Sequence, residues 1–220
     1  MDAALQKPAS TPRARDAGLT VVKLGGSVVR GAALRPWLDV IADAKKPIVI
    51  VPGGGALADE VRACQRQLGF ADATAHRMAL LAMDQLAWAV AGLRSGFEVG
   101  TREADLRETL TRGHVAVWAP SGLIADRTDV EATWRLTSDS LALWLAGRLG
   151  AGDCYLIKSV SMAHRARSAS ALVGEGVVDE AFSDMLARTG VRCAIFGQGN
   201  QASLSACLAS RAIPPGHVIE

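Results

Sequence analysis

The feature that most constrains the fold is a junction in which a short apolar strand runs through glycine directly into a helix. It occurs twice in the first 60 residues, where strand 19–24 meets the glycines of 25–26 and strand 47–51 meets those of 53–55. The second strand is continuously apolar and β-branched, which is typical of parallel strands covered on both faces. The junctions predict an α/β chain in which strands and helices alternate.

The rest of the chain continues this alternation and predicts a three-layer α/β/α sandwich with a mainly parallel central sheet. Apolar spacing predicts helices over 34–44, 56–68, 72–94, 106–111, 138–149, 177–188 and 201–210. It predicts further strands over 97–100, 114–119, 154–157 and 192–196, and a final edge strand within 214–219. Residues 1–18 lack periodicity and are predicted to be a mobile tail, so one domain spans 19–220. The long segment 159–176 is predicted to be a lid.

Composition excludes several classes of function. The formal net charge is +2, so charge alone gives no reason to expect binding to nucleic acid or to a membrane surface. The sequence contains neither an apolar run long enough to cross a bilayer nor a secretory signal. Four cysteines lie far apart without paired spacing, which indicates reduced thiols and a cytoplasmic protein. The four histidines are scattered, so we expect no protein-bound metal site.

The residues best suited to binding or catalysis lie where the predicted strands end. Lys23 lies on the last turn of a buried strand, where its charge is costly without an anionic partner. Gly25 and Gly26 allow a ligand to approach the backbone closely, and Ser27 adds a hydroxyl. This pattern predicts a phosphate-binding site. The alternative is an ordinary strand-to-helix turn with a surface lysine.

The second junction carries three consecutive glycines, Gly53, Gly54 and Gly55, at the start of a helix. Their amides are suited to cradling an anion, whereas a tight turn would usually need one glycine. We therefore favour binding over a purely structural turn.

A second strand also ends in lysine, at Lys158. Between the two lysines in sequence, Asp139 lies in the first turn of a helix that Thr137 or Ser138 is expected to cap. Two lysines and an aspartate at one sheet edge form an electrostatic clamp for a transferring phosphoryl group. The alternative is that Asp139 only complements the helix dipole.

Four segments carry a resemblance to a known family: 23–27, 52–55, 137–142 and the strand that ends at Lys158. In this order they resemble the amino acid kinase superfamily of aspartate, glutamate and uridylate kinase-like proteins. The resemblance implies the amino acid kinase fold, with an acceptor half over about 19–118 and an ATP half over about 137–220. It implies transfer of the γ-phosphoryl group of ATP, with Mg²⁺, and no Walker loop is present. The implied catalytic residues are Lys23, Asp139 and Lys158. The implied nucleotide contacts are Gly25, Gly26, Ser27, Lys158, Gly197 and Gly199, and the implied acceptor contacts are Gly53, Gly54, Gly55, Thr137 and Ser138.

The sequence departs from many relatives after its fifth strand. An Asp-Val-Asp-Gly-like turn is replaced by the run Lys158-Ser159-Val160-Ser161-Met162, and no lysine follows Lys158. Lys158 would therefore take the role of the later lysine of those relatives.

The compact length and the run 134–140 look most like the branch that phosphorylates [5-(aminomethyl)furan-3-yl]methyl phosphate in methanofuran-type cofactor biosynthesis. Trp134 would then pack near the furan, and Asp126, Asp129 or Glu131 would meet the ammonium group. The alternatives are another acceptor (uridylate, isopentenyl phosphate or an amino acid) and a non-catalytic anion-binding relative. A dinucleotide-binding oxidoreductase built on Gly197-x-Gly199 is the alternative from another class.

The helix predicted over 72–94 is apolar on more than one face. One face is expected to meet the sheet and the other a second copy of the chain, so the sequence predicts a homodimer or a higher homo-oligomer.

Overall fold

Seven strands form one sheet in the computed structural model, which describes residues 16–161, 168–210, 212–214 and 217–220. They are β1 (Asp16–Leu24), β2 (Ile48–Pro52), β3 (Phe97–Gly100), β4 (Val115–Trp118), β5 (Ala151–Ile157), β6 (Arg192–Phe196) and β7 (Val218–Ile219). Their order in the sheet is β3-β4-β2-β1-β5-β6-β7. All neighbouring pairs are parallel except β6 and β7, which confirms the mainly parallel sheet and the antiparallel edge strand.

Helices connect these strands and cover both faces of the sheet. They are α1 (Gly26–Val29), α2 (Leu34–Asp43), α3 (Gly55–Leu68), α4 (Asp72–Ala91), α5 (Glu103–Thr111), α6 (Ser121–Ile124), α7 (Ser138–Leu149), α8 (Ala169–Gly174), α9 (Phe182–Thr189) and α10 (Gln201–Ser210). No described helix is long and apolar enough to cross a membrane.

Two apolar cores, one on each face of the sheet, make up the three-layer sandwich. Neighbouring residues of β1 point to opposite faces, so Val21 packs in one core and Val22 in the other. The first core joins the sheet to α5, α7 and α9, and the second joins it to α2 and α10. Helix α4 contributes to both cores, as its apolar composition indicates. The predicted α/β/α architecture is therefore confirmed.

Several predicted boundaries differ from the structure: α5 and β5 each begin three residues earlier than predicted, α4 ends three residues earlier, and differences occur in three other places. Strand β1 begins at Asp16, whose amide donates to the Gly150 carbonyl at 2.7 Å, so the last residues of the predicted tail belong to the sheet. Residues 1–15 of that tail lie outside the described residues. The helix predicted over 177–188 begins only at Phe182, because the Val177 amide instead donates to the Leu172 carbonyl. Within the predicted lid, 169–174 is helical and 162–167 lies outside the described residues.

The carboxyl ends of β1, β2 and β5 lie level with one another. Lys23 is in register with Val51 on one side and with Leu156 on the other. The chain leaves β1 toward β2 and later returns to its other side as β5, so the connections diverge at this point. Such a switch point opens a crevice at the carboxyl edge, which is where open α/β sheets bind ligands.

The two glycine turns at this edge pack directly against each other. A Cβ added to Gly26 would lie 2.7 Å from the Gly55 nitrogen, and one added to Gly53 would lie 2.7 Å from the Gly26 nitrogen. Gly55 also has a φ of +52°, which favours glycine. These glycines are therefore required by backbone packing, whether or not their amides also bind an anion.

The Gly26→Ala substitution is expected to lower the free energy of unfolding by about 1–3 kcal/mol, because the new methyl group meets backbone atoms that have no room to move. Urea denaturation followed by circular dichroism measures this change. Gly174→Ala is the matched control, since nothing lies within 4 Å of a Cβ at that position. Equal stability of the two variants would contradict the packing argument.

Candidate active site

Two lysines and one aspartate meet at the carboxyl edge of β1 and β5. The Lys23 Nζ lies 2.7 Å from the Asp139 Oδ1, and the Lys158 Nζ donates to the Asp139 Oδ2 at 2.6 Å. Lys23 is near the end of β1, Lys158 directly follows β5, and Asp139 lies in the first turn of α7. The structure thus brings together the three residues that the sequence suggested as catalytic.

This cluster is buried and carries unequal charge. The side chains of Lys23, Asp139 and Lys158 are 4%, 6% and 13% exposed. Two ammonium groups facing one carboxylate leave an excess positive charge, which is costly in a buried site. A bound anion would remove this cost, so the cluster is suited to an anionic ligand.

The pKa values reflect burial and the close charges. Burial alone would raise the pKa of the Asp139 carboxyl, but the charges of Lys23 and Lys158 outweigh it and lower that pKa to about 2. Burial and the neighbouring charge of Lys23 lower the pKa of Lys158 to about 8, against the attraction of Asp139. Asp139 is therefore ionised at neutral pH, whereas Lys158 begins to lose its proton at mildly alkaline pH.

The beginning of α7 differs from the prediction that Thr137 or Ser138 caps this helix. Thr137 is the N-cap residue by backbone conformation, but its side chain makes no capping hydrogen bond. The cap is supplied by Asp179, whose Oδ2 accepts the Thr137 and Ser140 amides at 2.9 Å and 3.0 Å. Sequence reasoning missed Asp179 because it lies inside a segment with helical spacing, where one acidic residue is an ordinary surface feature.

A cavity of about 190 Å³ opens beside the cluster, between the glycine turns and α4. Its lining includes six of the predicted site residues, Gly26, Ser27, Gly54, Gly55, Thr137 and Ser138. Apolar side chains also line it, namely Leu80, Met83, Leu136 and Leu141. The glycine turns predicted to hold an anion and an acceptor therefore share one cavity.

Trp134 forms part of the wall of this cavity and is held on two sides. Its Nε1 donates to the Gln65 Oε1 at 2.6 Å, and the Arg62 guanidinium lies 4.1 Å from the ring centroid. The Asp59 Oδ1 lies 3.4 Å from the Arg62 Nη1, and the Asp59 Oδ2 lies 3.8 Å from the Arg30 Nη1. All three residues line the cavity. The wall therefore combines a fixed aromatic ring with charges of both signs.

Asp126, Asp129 and Glu131, which the sequence suggested for the ammonium group of a substrate, are not among the lining residues of this cavity. Asp126 pairs with Arg77 at 2.8 Å, and Asp129 pairs with Arg127 at 2.6 Å. Glu131 lines a separate cavity together with Asp129. The acidic residue in the candidate acceptor cavity is instead Asp59, at the second turn of α3.

The turn after β6 lies next to Lys158. The Lys158 amide donates to the Phe196 carbonyl at 2.8 Å, and the Gln198 amide donates to the Val160 carbonyl at 3.3 Å. The Gly197 amide donates to the Asn200 Oδ1 at 2.9 Å, and Gly199 has a φ of +82°. Gly197 and Gly199 therefore belong to the same sheet edge as the lysine cluster, on the side away from the acceptor cavity.

The described residues contain no group of three or more histidine, cysteine, aspartate or glutamate side chains arranged to hold a metal ion.

Comparison with known proteins agrees with this geometry. Residues 18–164 match the model of the amino acid kinase family. The chain is 29% identical over 147 residues to the [5-(aminomethyl)furan-3-yl]methyl phosphate kinase of Methanocaldococcus jannaschii, a match that spans 64% of this chain and 65% of that protein.

Solved structures of similar fold include the uridylate kinase from Archaeoglobus fulgidus, with a TM-score of 0.68 and 18% identity over 91% of this chain and 99% of that one. The UMP kinase from Ureaplasma parvum has a TM-score of 0.66 and 13% identity, covering 94% of this chain and 100% of that one. An aspartate kinase from Synechocystis has a TM-score of 0.62 and 17% identity over 91% of this chain and 39% of that one.

The family match, which spans more than half of the chain, overturns the alternative of a dinucleotide-binding oxidoreductase. The fold, the ordered motifs and this match lead to one conclusion: the chain belongs to the amino acid kinase family.

Proposed function

We propose that this protein is an ATP-dependent kinase that transfers the γ-phosphoryl group to a small phosphomonoester and produces a diphosphate. The observation that supports this most directly is the buried cluster in which Lys23 and Lys158 share the single carboxylate of Asp139. Its excess positive charge fits a transition state whose negative charge is spread over phosphoryl oxygens.

In this proposal an oxygen of the acceptor phosphate attacks the γ-phosphorus, and the bond from that phosphorus to the β–γ bridging oxygen breaks. ADP leaves with the bonding electron pair. Lys23, at the boundary of the two halves, stabilises charge on the transferring group, and Lys158 stabilises charge on the departing nucleotide. Asp139 orients both ammonium groups, and the Gly26 amide holds the transferring phosphoryl group. The Gly25 amide does not share this predicted role, because it donates to the Ile157 carbonyl at 2.8 Å.

The donor and the acceptor would enter from opposite sides of the cluster. Gly197 and Gly199 would contact ATP on the side of β6, with Mg²⁺ neutralising the charge of its phosphates. The acceptor phosphate would lie against Gly54, Gly55, Thr137 and Ser138, which line the cavity, whereas the Gly53 amide donates to the Leu24 carbonyl at 2.8 Å. Ser27, predicted to contact the nucleotide, lines the same cavity. The acceptor half would span about 19–118 and the ATP half about 137–220, with the beginning of α7 contributing to both.

The acceptor that we propose is [5-(aminomethyl)furan-3-yl]methyl phosphate, as in methanofuran-type cofactor biosynthesis. The name of the relative from Methanocaldococcus jannaschii supports this choice. The cavity offers Trp134 as a flat surface for a furan ring and Asp59 as a carboxylate for an ammonium group. Other phosphate acceptors, such as uridylate or isopentenyl phosphate, are outcomes of the test below.

The purified protein is expected to release ADP from MgATP in the presence of this furan phosphate, measured with a coupled assay against a panel of small phosphates. Lys23→Ala should reduce kcat by ~10²–10³, because removing one preorganised charge at the transferring group typically costs that much. Arg77→Ala, which changes an exposed ion pair away from the cavity, is the control. Absence of ADP release with every acceptor would identify a non-catalytic anion-binding protein instead.

The amine of Lys158 is expected to titrate with a pKa of about 8. The kcat/KM of the kinase reaction should therefore fall as the pH rises through that value. The sign follows because only the protonated amine of Lys158 stabilises the charge on the departing nucleotide. The pH dependence of Lys158 acylation, read by mass spectrometry, measures this pKa without any assay of activity. Lys23→Met removes a like charge and should raise the pKa, whereas Asp139→Asn should lower it. Titration of Lys158 near 10.5 in the unmodified protein would contradict the lowered pKa.

We also propose that two copies of the chain associate through α4. Leu81 and Trp88 are 53% and 66% exposed and lie two turns apart on one face of this helix. Sedimentation velocity at micromolar concentration is expected to show a dimer, and Trp88→Lys should shift it to a monomer. A monomeric unmodified protein would refute the proposal.

A further inference from the structure

Asp179 accepts hydrogen bonds from two residues that flank Asp139. Its Oδ2 accepts the Thr137 amide and the Thr137 hydroxyl, both at 2.9 Å, and the Ser140 amide at 3.0 Å. Its Oδ1 accepts the Ser140 hydroxyl. Four donors therefore converge on one carboxylate, and all four belong to the first turn of α7 or to the residue before it.

This arrangement is costly for a simple helix cap. Burial and the nearby charge of Asp139 raise the pKa of the Asp179 carboxyl, so a second carboxylate is held close to Asp139 at an energetic cost. Thr137 lies at the N-cap position and could accept the helix amides itself without any charge. Its hydroxyl instead donates to Asp179, which ties the beginning of α7 to a distant part of the chain.

The neighbouring residues strengthen this connection. The Ala181 amide donates to the Arg135 carbonyl at 2.9 Å, and the Arg135 Nε donates to the exposed Glu180 at 3.1 Å. Segment 179–181 thus lies along segment 135–140, with the partly buried Asp179 at one end and the solvated Glu180 pair beside it.

We propose that Asp179 is a positioning residue for phosphoryl transfer, which fixes the first turn of α7 and thereby holds the Asp139 carboxylate between Lys23 and Lys158. The inference rests on the proposed kinase function for its consequence on rate, but its structural claim is independent of that function. Asp139 has to face both ammonium groups at 2.6–2.7 Å, so a small rotation of this turn would break one of the two contacts.

An amide replaces this carboxylate only in part. The asparagine oxygen could keep the three bonds made to the Asp179 Oδ2, and its NH₂ group would face the Ser140 hydroxyl, which could accept from it but would lose the acceptor of its own proton. Asp179→Asn therefore removes the charge from four hydrogen bonds and reverses one of them, which weakens the hold on the turn.

The test compares Asp179→Asn with Glu180→Gln in the full-length protein. Asp179→Asn is expected to reduce kcat by about tenfold or more, since a misplacement near 1 Å can cost ~10² in rate, while KM for ATP and acceptor changes little. Glu180→Gln changes only the exposed pair and should leave kcat unchanged. Ser140→Ala removes one of the four donors and should give a smaller effect of the same kind, in a protein that keeps its fold.

The pKa of Lys158, measured by its acylation, separates positioning from a general loss of structure. Lys158 faces Lys23 from β1 and Asp139 from α7, and Asp139 is the group that favours its protonated form. If Asp179→Asn lets Asp139 move away, Lys158 should titrate at a lower pH than in the unmodified protein. A loss of folded protein alone would leave the midpoint unchanged in the molecules that remain folded.

Two results would overturn the inference. One is a folded Asp179→Asn protein with unmodified kcat and an unshifted Lys158 midpoint. The other is a loss of kcat proportional to the loss of folded protein, again with an unshifted midpoint. An unmodified protein without kinase activity would instead refute the proposed function, and the Lys158 titration would still decide whether Asp179 positions Asp139.

Discussion

Two buried ammonium groups that share one carboxylate constrain how the rest of this structure is arranged. Lys23 and Lys158 both contact the Asp139 carboxylate, and the three side chains are almost completely removed from water. A protein tolerates such an imbalance only where a ligand supplies the missing negative charge or where the surrounding structure holds the groups rigidly. The chain meets the second condition with three strands that end level and with a helix whose first turn is held by a separate carboxylate.

The topology of the sheet explains why residues far apart in sequence meet. Because β1 lies between β2 and β5, the ends of the first, second and fifth strands share one edge. The end of β1 carries a lysine and a glycine turn, the end of β2 carries a second glycine turn, and the end of β5 carries a second lysine. Helix α7 packs over β1 and β5 and brings its amino end to the same place. The site is therefore a consequence of strand order, and it needs no unusual backbone beyond the glycine turns.

Much of this was predictable from the sequence, since strand ends that carry lysine or glycine are visible as local patterns. The bounds of β3, β6 and α10 agree with their predicted ranges, because glycines lie at or near both ends of β3 and β6 and just before α10. Long-range side-chain pairing was not predictable in the same way. Asp179 caps a helix that precedes it by a strand and another helix, and Asp59 lines the cavity although Asp126 lay in a more suggestive loop. The spacing of residues along one segment does not predict which other segment a charged side chain will contact.

The contact between the two glycine turns has a mechanical consequence. Gly26 and Gly55 touch through backbone atoms, so neither turn can shift without displacing the other. The two turns that follow β1 and β2 therefore move as one rigid body. A change in the width of the cavity has to come from its other wall, which α4 and segment 133–138 form.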